Sequence, residues 1–175
     1  MILKDKNMTV KFVKVRDVKS PERGTSVAAG TDFFIPNTFN EGQPFKLEPH
    51  HDILIKSGIR ASLPAGTMWM GADKSGVATT KSAMKLAGNE PKISNPDSSL
   101  KVGAKIIDED YQGEIGLHII NVGDKPQWLE PGQKIVQFIL VPVIYPELIE
   151  CATVDEVFSC ETERGEGGFG STGGK

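Results

Sequence analysis

Short segments of alternating apolar and polar residues, separated by glycine and proline, make up most of this chain. Such alternation is typical of strands that bury one face. It predicts strands at residues 9–16, 45–47, 52–59 and 116–121, and a continuous apolar run predicts a further strand at 134–143. In the first of these the apolar face changes between Phe12 and Val13, which predicts a bulge or a change of strand partner. The last is apolar on both faces except at Gln137, whose buried amide needs a partner from the structure or from a ligand.

One stretch, 79–87, has helical character, because good helix formers precede a natural stop at Gly88. The polar residues 89–99 include two prolines and predict an exposed loop. Many short strands, frequent turns and one short helix together predict an all-β domain.

Composition excludes several classes of protein. The 175 residues suit one domain, and the net charge of −3 comes from interspersed acidic and basic residues. No basic stripe is present, so we expect no direct nucleic-acid binding. The first ten residues lack the apolar core of a secretory signal, and no run is long enough to span a membrane. The two cysteines lack a zinc-binding pattern and predict reduced thiols in a cytoplasmic protein.

A cluster of carboxylates at 108–110 is the most informative local feature. Ile106 and Ile107 precede it, and Tyr111 and a glycine follow, which predicts a strand, a tight polar turn and a second strand. Such a turn would hold Asp108 and Asp110 on rigid backbone, as catalysis requires. A solvated acidic turn without function is the alternative interpretation of this stretch alone.

Three other stretches carry weaker signals. Asp32 follows a run of small residues, a pattern that an ordinary strand start also gives. Lys74, Ser75 and Gly76 could supply a charge, a hydroxyl and a backbone N–H to a phosphate, or could form a plain loop. The glycine-rich end, 164–174, contains isolated Arg164 and Phe169 side chains, suited to phosphate and to a planar ring, in a tail too polar to fold alone.

Five separated segments, in order, resemble the motifs of the homotrimeric dUTPase family. They are 29–32 (AGTD), 73–76 (DKSG), 107–114 (IDEDYQGE), 131–137 (PGQKIVQ) and 164–173 (RGEGGFGSTG). The resemblance implies a distorted β-barrel of jelly-roll type over residues 1–160, with a flexible glycine-rich arm at 161–175 that closes over an active site. It further implies a homotrimer with active sites shared between subunits, and hydrolysis of dUTP to dUMP and pyrophosphate with Mg²⁺.

The resemblance also implies roles for individual residues. Asp108 would activate the attacking water, and Tyr111 would pack under the deoxyribose and exclude a 2′-hydroxyl. Ile107 and Asp110 would belong to the segment whose backbone reads the uracil edge, and Asp32 would contact Mg²⁺ through water. Further substrate-binding residues would be Lys74, Ser75, Gly76, Gln137 and Arg164 at the phosphates, Phe169 over the uracil, and Gly170, Ser171 and Thr172 in the closing tail.

The sequence departs from the family pattern at a few positions. Lys74 stands where arginine is usual, and lysine keeps the charge but loses the planar fork. Gln133 replaces an acidic residue. An insertion at about 79–101 lengthens the interval before Asp108; virally encoded members can carry such insertions, so a phage or bacterial source would fit, with host cytoplasm as the location. The insertion could bind a partner protein, but the favoured interpretation is tolerated loop length without a partner.

Two alternatives to the dUTPase interpretation remain open at this point. A dUTP-sensing regulator would bind its partner through the 79–101 insertion. A dCTP deaminase would share the fold but would need an arginine soon after Ser75 and a glutamate base in the central segment. Thr79 and Thr80 follow Ala78 instead, and the acidic stretch at Asp108 has the dUTPase pattern.

Overall fold

The computed structural model describes residues 8–78, 99–163 and 165–167. Within these ranges the chain forms twelve strands: β1 Lys11–Lys14, β2 Glu22–Arg23, β3 Gly30–Phe34, β4 Phe45–Leu47, β5 Asp52–Lys56, β6 Ile59–Ser62, β7 Thr67–Asp73, β8 Leu100–Val102, β9 Ile106–Ile107, β10 Gly116–Asn121, β11 Gln127–Leu129 and β12 Lys134–Pro142. Two single-turn helices, α1 Ser75–Ala78 and α2 Val154–Val157, and a 3₁₀ turn at Phe39–Gly42 accompany them. The all-β prediction is confirmed, while the helix predicted at 79–87 lies outside the described residues.

The strands form four antiparallel groups in this part of the chain. The largest is a five-stranded sheet in the order β2-β3-β12-β7-β9, and a three-stranded sheet has the order β5-β10-β8. β1 pairs with β6, and β4 pairs with β11. Except for β2 and β3, neighbouring strands of the large sheet are far apart in sequence, so its centre joins segments from the beginning, middle and end of the first 143 residues.

An aromatic cluster occupies the centre of the five-stranded sheet. The Phe33 ring on β3 packs edge-on against Trp69 on β7 and Phe138 on β12, with centroid separations of 5.4 Å and 4.8 Å. All three side chains are buried. Because burial of one such side chain stabilises a fold by ~1.5–3 kcal/mol, this cluster fixes β3, β7 and β12 relative to one another.

The run predicted as one strand at 52–59 is divided in the structure. β5 pairs with β10, whereas β6 pairs with β1, and the chain turns between them at Gly58. Gly58 has a φ of 77°, in the left-handed region that glycine adopts without strain. The strands predicted at 45–47 and 116–121 are confirmed, and that at 134–143 corresponds to β12.

The strand predicted at residues 9–16 lacks the irregularity that its apolar pattern predicted. β1 pairs with β6 in an unbroken register from Lys11 to Lys14, so the expected bulge is absent there. Phe12 and Val13 both remain exposed. Both faces of β1 are exposed in this chain, so apolar residues occur on either face although the backbone is regular.

The chain divides into two compact units, Met1–Val143 and Ile144–Lys175. The first contains all the strands given above, and the second contains α2. The boundary predicted after residue 160, with the arm that follows it, stays a prediction. Among the described residues, helices are too short to cross a membrane.

Candidate active site

The carboxylate cluster lies on a loop that connects two sheets. β9 pairs with β7 through Ile107 opposite Trp69, whereas β10, which follows the loop, pairs with β5 and β8. The two strands predicted on either side of the turn are present, but they have different partners and do not form a hairpin with each other. The predicted tight turn is present, since the Tyr111 N–H donates to the Asp108 carbonyl at 3.2 Å. We call residues 108–115 the acidic loop.

Side chains of the acidic loop fasten it to the rest of the first unit. The Glu109 carboxylate accepts a hydrogen bond from the Gly66 N–H. At the other end, Glu114 accepts from the Gly58 N–H at 2.7 Å and forms a two-pronged ion pair with Arg16, at 2.7 and 3.1 Å. Glu109 and Glu114, the two glutamates of the acidic loop, thus hold its backbone in place.

Glu114 makes this attachment sensitive to pH. The hydrogen bond from Arg16, helped by that from Gly58, holds the pKa of the Glu114 carboxyl below its ordinary value of 4.5, against the opposing effect of burial. The pKa of Arg16 is raised in turn, first by its hydrogen bond to Glu114. Both groups are therefore charged at neutral pH, and the loop is held by an ion pair.

We expect Glu114→Gln to lower the melting temperature at neutral pH, with a difference from wild type that vanishes in acid. A carboxylate whose folded-state pKa is depressed stabilises the fold above its unfolded pKa of about 4.5, and that contribution is lost as pH falls through the folded value. Melting curves from about pH 6 to about pH 3 measure this. Glu130→Gln, in an exposed turn, is the control; an equal effect of both variants would contradict the assignment.

Asp108 and Tyr111 border a cavity of about 230 Å³. The cavity is lined by Leu54, Lys56, Ala104, Ile106, Ile107, Asp108, Tyr111, Glu114 and Gly116. The Tyr111 hydroxyl donates to the Glu114 carbonyl at 3.0 Å, which fixes the ring. A Cβ at Gly113 would overlap the Tyr111 ring, so glycine is required there.

The Asp108 carboxylate is exposed and has no hydrogen bond or ion pair with any described residue. Its neighbour Glu109, by contrast, is occupied by the Gly66 N–H. An aspartate is ionised at neutral pH, so a carboxylate without a protein partner beside a cavity can accept a proton from a bound water. Asp108 is therefore the carboxylate of the acidic loop best placed to act as a base.

A second group of charged residues lies at the opposite end of β7. Asp32 on β3 is buried, and its two oxygens accept from Lys74 at 2.9 Å and Lys134 at 3.1 Å. Lys134 also pairs with Glu22 at 2.8 Å, and the hydrogen bonds to Glu22 and Asp32 raise its pKa. We call Asp32, Lys74 and Lys134 the lysine–aspartate cluster; its two ammonium groups are paired with the Asp32 and Glu22 carboxylates.

Gln137 lies directly opposite Asp32 in the β3–β12 register. Its Nε2 donates to the Asp73 carbonyl at 2.9 Å, so the structure itself supplies a partner for this amide. A Cβ at position 30 would overlap the Gln137 side chain, which explains the glycine there. Ser75 and Gly76 open α1 immediately after Lys74, and the first N–H groups of a helical turn have no partner within it. Asp32, Lys74, Ser75, Gly76 and Gln137 are thus brought together.

The acidic loop and the lysine–aspartate cluster are well separated within one chain. Ile107 pairs with Trp69 near the start of β7, whereas Lys74 follows the end of that strand. At ~3.3 Å per residue, Trp69 and Lys74 are roughly 17 Å apart along the direction of β7. Arg164, Phe169, Gly170, Ser171 and Thr172 lie outside the described residues, so their predicted roles stay predictions.

Sequence reasoning missed the partners that fix these groups. Lys134 and Glu22 were not predicted near Asp32, and Arg16 was not predicted near Glu114. No sequence signal could have found the second pair, since its members are 98 positions apart. Clusters of three or more potential metal-ligating His, Cys, Asp or Glu side chains are absent from the described ranges.

Comparison with known proteins assigns the chain to a family. The dUTPase family model matches residues 94–173. The mouse deoxyuridine 5'-triphosphate nucleotidohydrolase is 31% identical over 166 residues, which cover 94% of this chain and 85% of the mouse protein.

Two solved structures share the fold of this chain. A mutant dUTPase of Staphylococcus bacteriophage 80alpha with dUpNHpp has a TM-score of 0.68 at 24% identity and covers 96% of this chain and 99% of its own. A mutant dUTPase of phage phi11 of S. aureus, described with a structural Mg(II) ion, has a TM-score of 0.63 at 20% identity and covers 84% and 99%. These likenesses show the fold, in agreement with the predicted distorted jelly-roll barrel. From its similarity to the mouse enzyme over most of both sequences, the chain belongs to the dUTPase family.

Proposed function

We propose that this protein hydrolyses dUTP to dUMP and pyrophosphate, and so limits uracil incorporation into DNA while supplying dUMP for dTTP synthesis. Its family consists of hydrolases, and the relatives are named for action on deoxyuridine triphosphate. The observation that carries the proposal is the position of Asp108. This carboxylate has no partner among the described residues and borders a cavity that it shares with Tyr111.

In this mechanism Asp108 holds a water and accepts its proton as the water attacks the α-phosphorus. As the water oxygen bonds to the α-phosphorus, its proton passes to the Asp108 carboxylate, and the bond between the α-phosphorus and the bridging oxygen of pyrophosphate breaks. Pyrophosphate leaves on the opposite side, in line with the attack. The fixed backbone of the acidic loop, held by Glu109 and Glu114, supports the geometry that such a base requires.

Phosphate binding falls to the lysine–aspartate cluster. Lys74 and Lys134 carry positive charge, and the Gln137 amide and the N–H groups that open α1 lie beside them. Charged donors and exposed N–H groups are the usual ligands of phosphate oxygens. Arg164 and the tail residues Phe169, Gly170, Ser171 and Thr172 would add a closing contact over the bound nucleotide.

The donor set near Asp32 fits a hydrated Mg²⁺ carried on the triphosphate. Mg²⁺ keeps several waters and uses few protein carboxylates when it binds substrate phosphates. Asp32 supplies one carboxylate, which is only 6% exposed and already paired with Lys74 and Lys134, so it would contact such an ion only through water. The ion would neutralise charge on the phosphates when bound. Asp32 would orient it through a coordinated water.

A homotrimer with shared sites accounts for the separation between the two groups of residues. Asp108 and Lys74 lie at opposite ends of β7, so in one chain the two side chains cannot both reach the triphosphate of one bound nucleotide. In a cyclic trimer, the acidic loop of one subunit can face the lysine–aspartate cluster of the next. Each site is then completed by neighbouring chains.

Tyr111 should control the choice between dUTP and UTP. We expect Tyr111→Ala to raise turnover of UTP relative to dUTP by about tenfold, because the ring that occupies the space of a 2′-hydroxyl is lost. Tyr111→Phe, which keeps the ring and removes only the bond to the Glu114 carbonyl, should retain discrimination. Competition assays with both nucleotides measure the ratio. Unchanged selectivity in the alanine variant would contradict this role.

The function itself is tested by pyrophosphate release from dUTP, with and without Mg²⁺, beside dCTP, dTTP and UTP. Mg²⁺-dependent turnover of dUTP alone is the expected result. Release of ammonia from dCTP would support the deaminase instead. Binding of dUTP without turnover would favour a regulator, whose predicted partner-binding segment at 79–101 lies mostly outside the described residues.

A further inference from the structure

His118 makes two side-chain hydrogen bonds beside the cavity of Asp108. The residue lies on β10, with its side chain 24% exposed. Its Nε2 is 2.7 Å from an oxygen of Asp52, and its Nδ1 is 2.8 Å from the Ala104 backbone nitrogen. The Ala104 N–H can only donate, so Nδ1 must accept and the ring proton must reside on Nε2, where it is donated to Asp52. Asp52 therefore selects the tautomer that binds Ala104.

Ala104 lies where the chain leaves one sheet for another. β8 pairs with β10, and the last backbone bond between these segments runs from the Gly103 N–H to the His118 carbonyl at 2.9 Å. Two residues later, the Lys105 carbonyl accepts from Gly71 on β7 at 2.6 Å. The imidazole adds one further bond beyond the end of the β8–β10 ladder and so sets the direction in which the chain departs.

Gly103 provides the space that this arrangement needs. A Cβ on residue 103 would overlap the imidazole of His118. A histidine that only faces solvent needs neither a glycine beside its ring nor a carboxylate that fixes its tautomer. His118 has both, in Gly103 and Asp52. This combination points to a function for the Ala104 contact.

We propose that His118 is a positioning residue of the nucleotide pocket, acting through the Ala104 backbone. Ala104 lines the same cavity as Asp108 and Tyr111, so the hydrogen bond from its N–H fixes one wall of that cavity. The inference rests on the proposed function, since it assigns this cavity to the base and sugar of dUTP. His118 itself does not line the cavity and is not a catalytic residue.

Three variants test the proposal in the full-length protein. His118→Leu keeps the approximate volume and removes both hydrogen bonds. His118→Asn places an amide oxygen close to the position of Nδ1, so it can still accept from Ala104 while its contact with Asp52 is lost. Ile120→Ala, on the same face of β10 but outside the cavity, controls for general loss of packing on that face.

We expect His118→Leu to raise the KM for dUTP between about 3-fold and about 10-fold, the range of one hydrogen bond, with kcat within about twofold. His118→Asn should restore most of the KM, and Ile120→Ala should leave it unchanged. Hydrogen exchange of peptides that contain Ala104 should accelerate in His118→Leu and slow again in His118→Asn. A purely structural role would instead lower the melting temperature of His118→Leu and Ile120→Ala alike without a selective change in KM.

Failure of the proposed function and failure of the positioning role of His118 give different results. If the unchanged protein does not turn over dUTP, the proposed function is overturned, and the positioning role with it. If the unchanged protein is active and His118→Leu has the wild-type KM although exchange at Ala104 accelerates, the positioning role alone is overturned.

Discussion

We expect Asp108→Asn to lower turnover of dUTP by ~10²-fold or more, the scale of a lost general base, while nucleotide binding is retained. Asparagine has nearly the same shape as aspartate but cannot accept the proton of the attacking water. The side chain makes no hydrogen bond or ion pair with a described residue, so its replacement should leave the acidic loop in place. Single-turnover rates and equilibrium binding of a non-hydrolysable dUTP analogue separate the two effects.

Asp124→Asn is a matched control for Asp108→Asn, because Asp124 is also an exposed aspartate in a turn, with its side chain 95% exposed. It should have wild-type turnover. Unchanged turnover in Asp108→Asn would remove Asp108 from its assigned role. Loss of binding together with turnover would show that the carboxylate serves mainly to hold the nucleotide.

Mixing two inactive variants should restore activity. In the proposed trimer, a site takes Asp108 from one chain and Lys74 from another, so Asp108→Asn chains and Lys74→Ala chains can complement each other. When equal amounts assemble at random, about one quarter of the sites receive both native residues. We therefore expect about one quarter of wild-type activity after co-expression, against the ~10²-fold loss of the Asp108→Asn protein alone.

The complementation experiment needs a measure of assembly and a matched mixture. Native mass spectrometry of differently tagged chains gives the fraction of mixed oligomers. A chain that carries both substitutions, mixed with Asp108→Asn chains, is the control, since no site in that mixture can contain Asp108. Mixed oligomers without recovered activity would show that Asp108 and Lys74 do not serve one shared site.

Local sequence patterns determined the fold class and much of the site. Alternating apolar residues predicted β10, because a half-buried strand exposes every second side chain, and a continuous apolar run predicted β12. The order of five motifs identified the family, which the mouse relative confirms. Asp32, Lys74 and Gln137, at positions 32, 74 and 137 in three separate motifs, lie together in the structure, and the roles that the resemblance implied for them stay predictions.

Prediction failed where strand partners mattered. The acidic loop resembled a hairpin because β9 and β10 are close in sequence, yet the two strands belong to different sheets. The run at 52–59 resembled one strand because the left-handed turn at Gly58 leaves no mark on the apolar pattern. Strand pairing depends on the packing of all segments together, and alternation within one segment does not specify its partner.

The sequence by itself determined that this protein is an all-β member of the dUTPase family and which carboxylate of the acidic loop is a candidate base. Only the tertiary structure decided what holds the acidic loop in position, namely Glu109 on Gly66 and Glu114 on Arg16, and what binds Ala104 in the cavity wall, namely His118. The reason is physical. Chemistry-bearing residues occur in compact motifs that the sequence displays directly, whereas their supports come from segments far along the chain, which become neighbours only when the sheets pack.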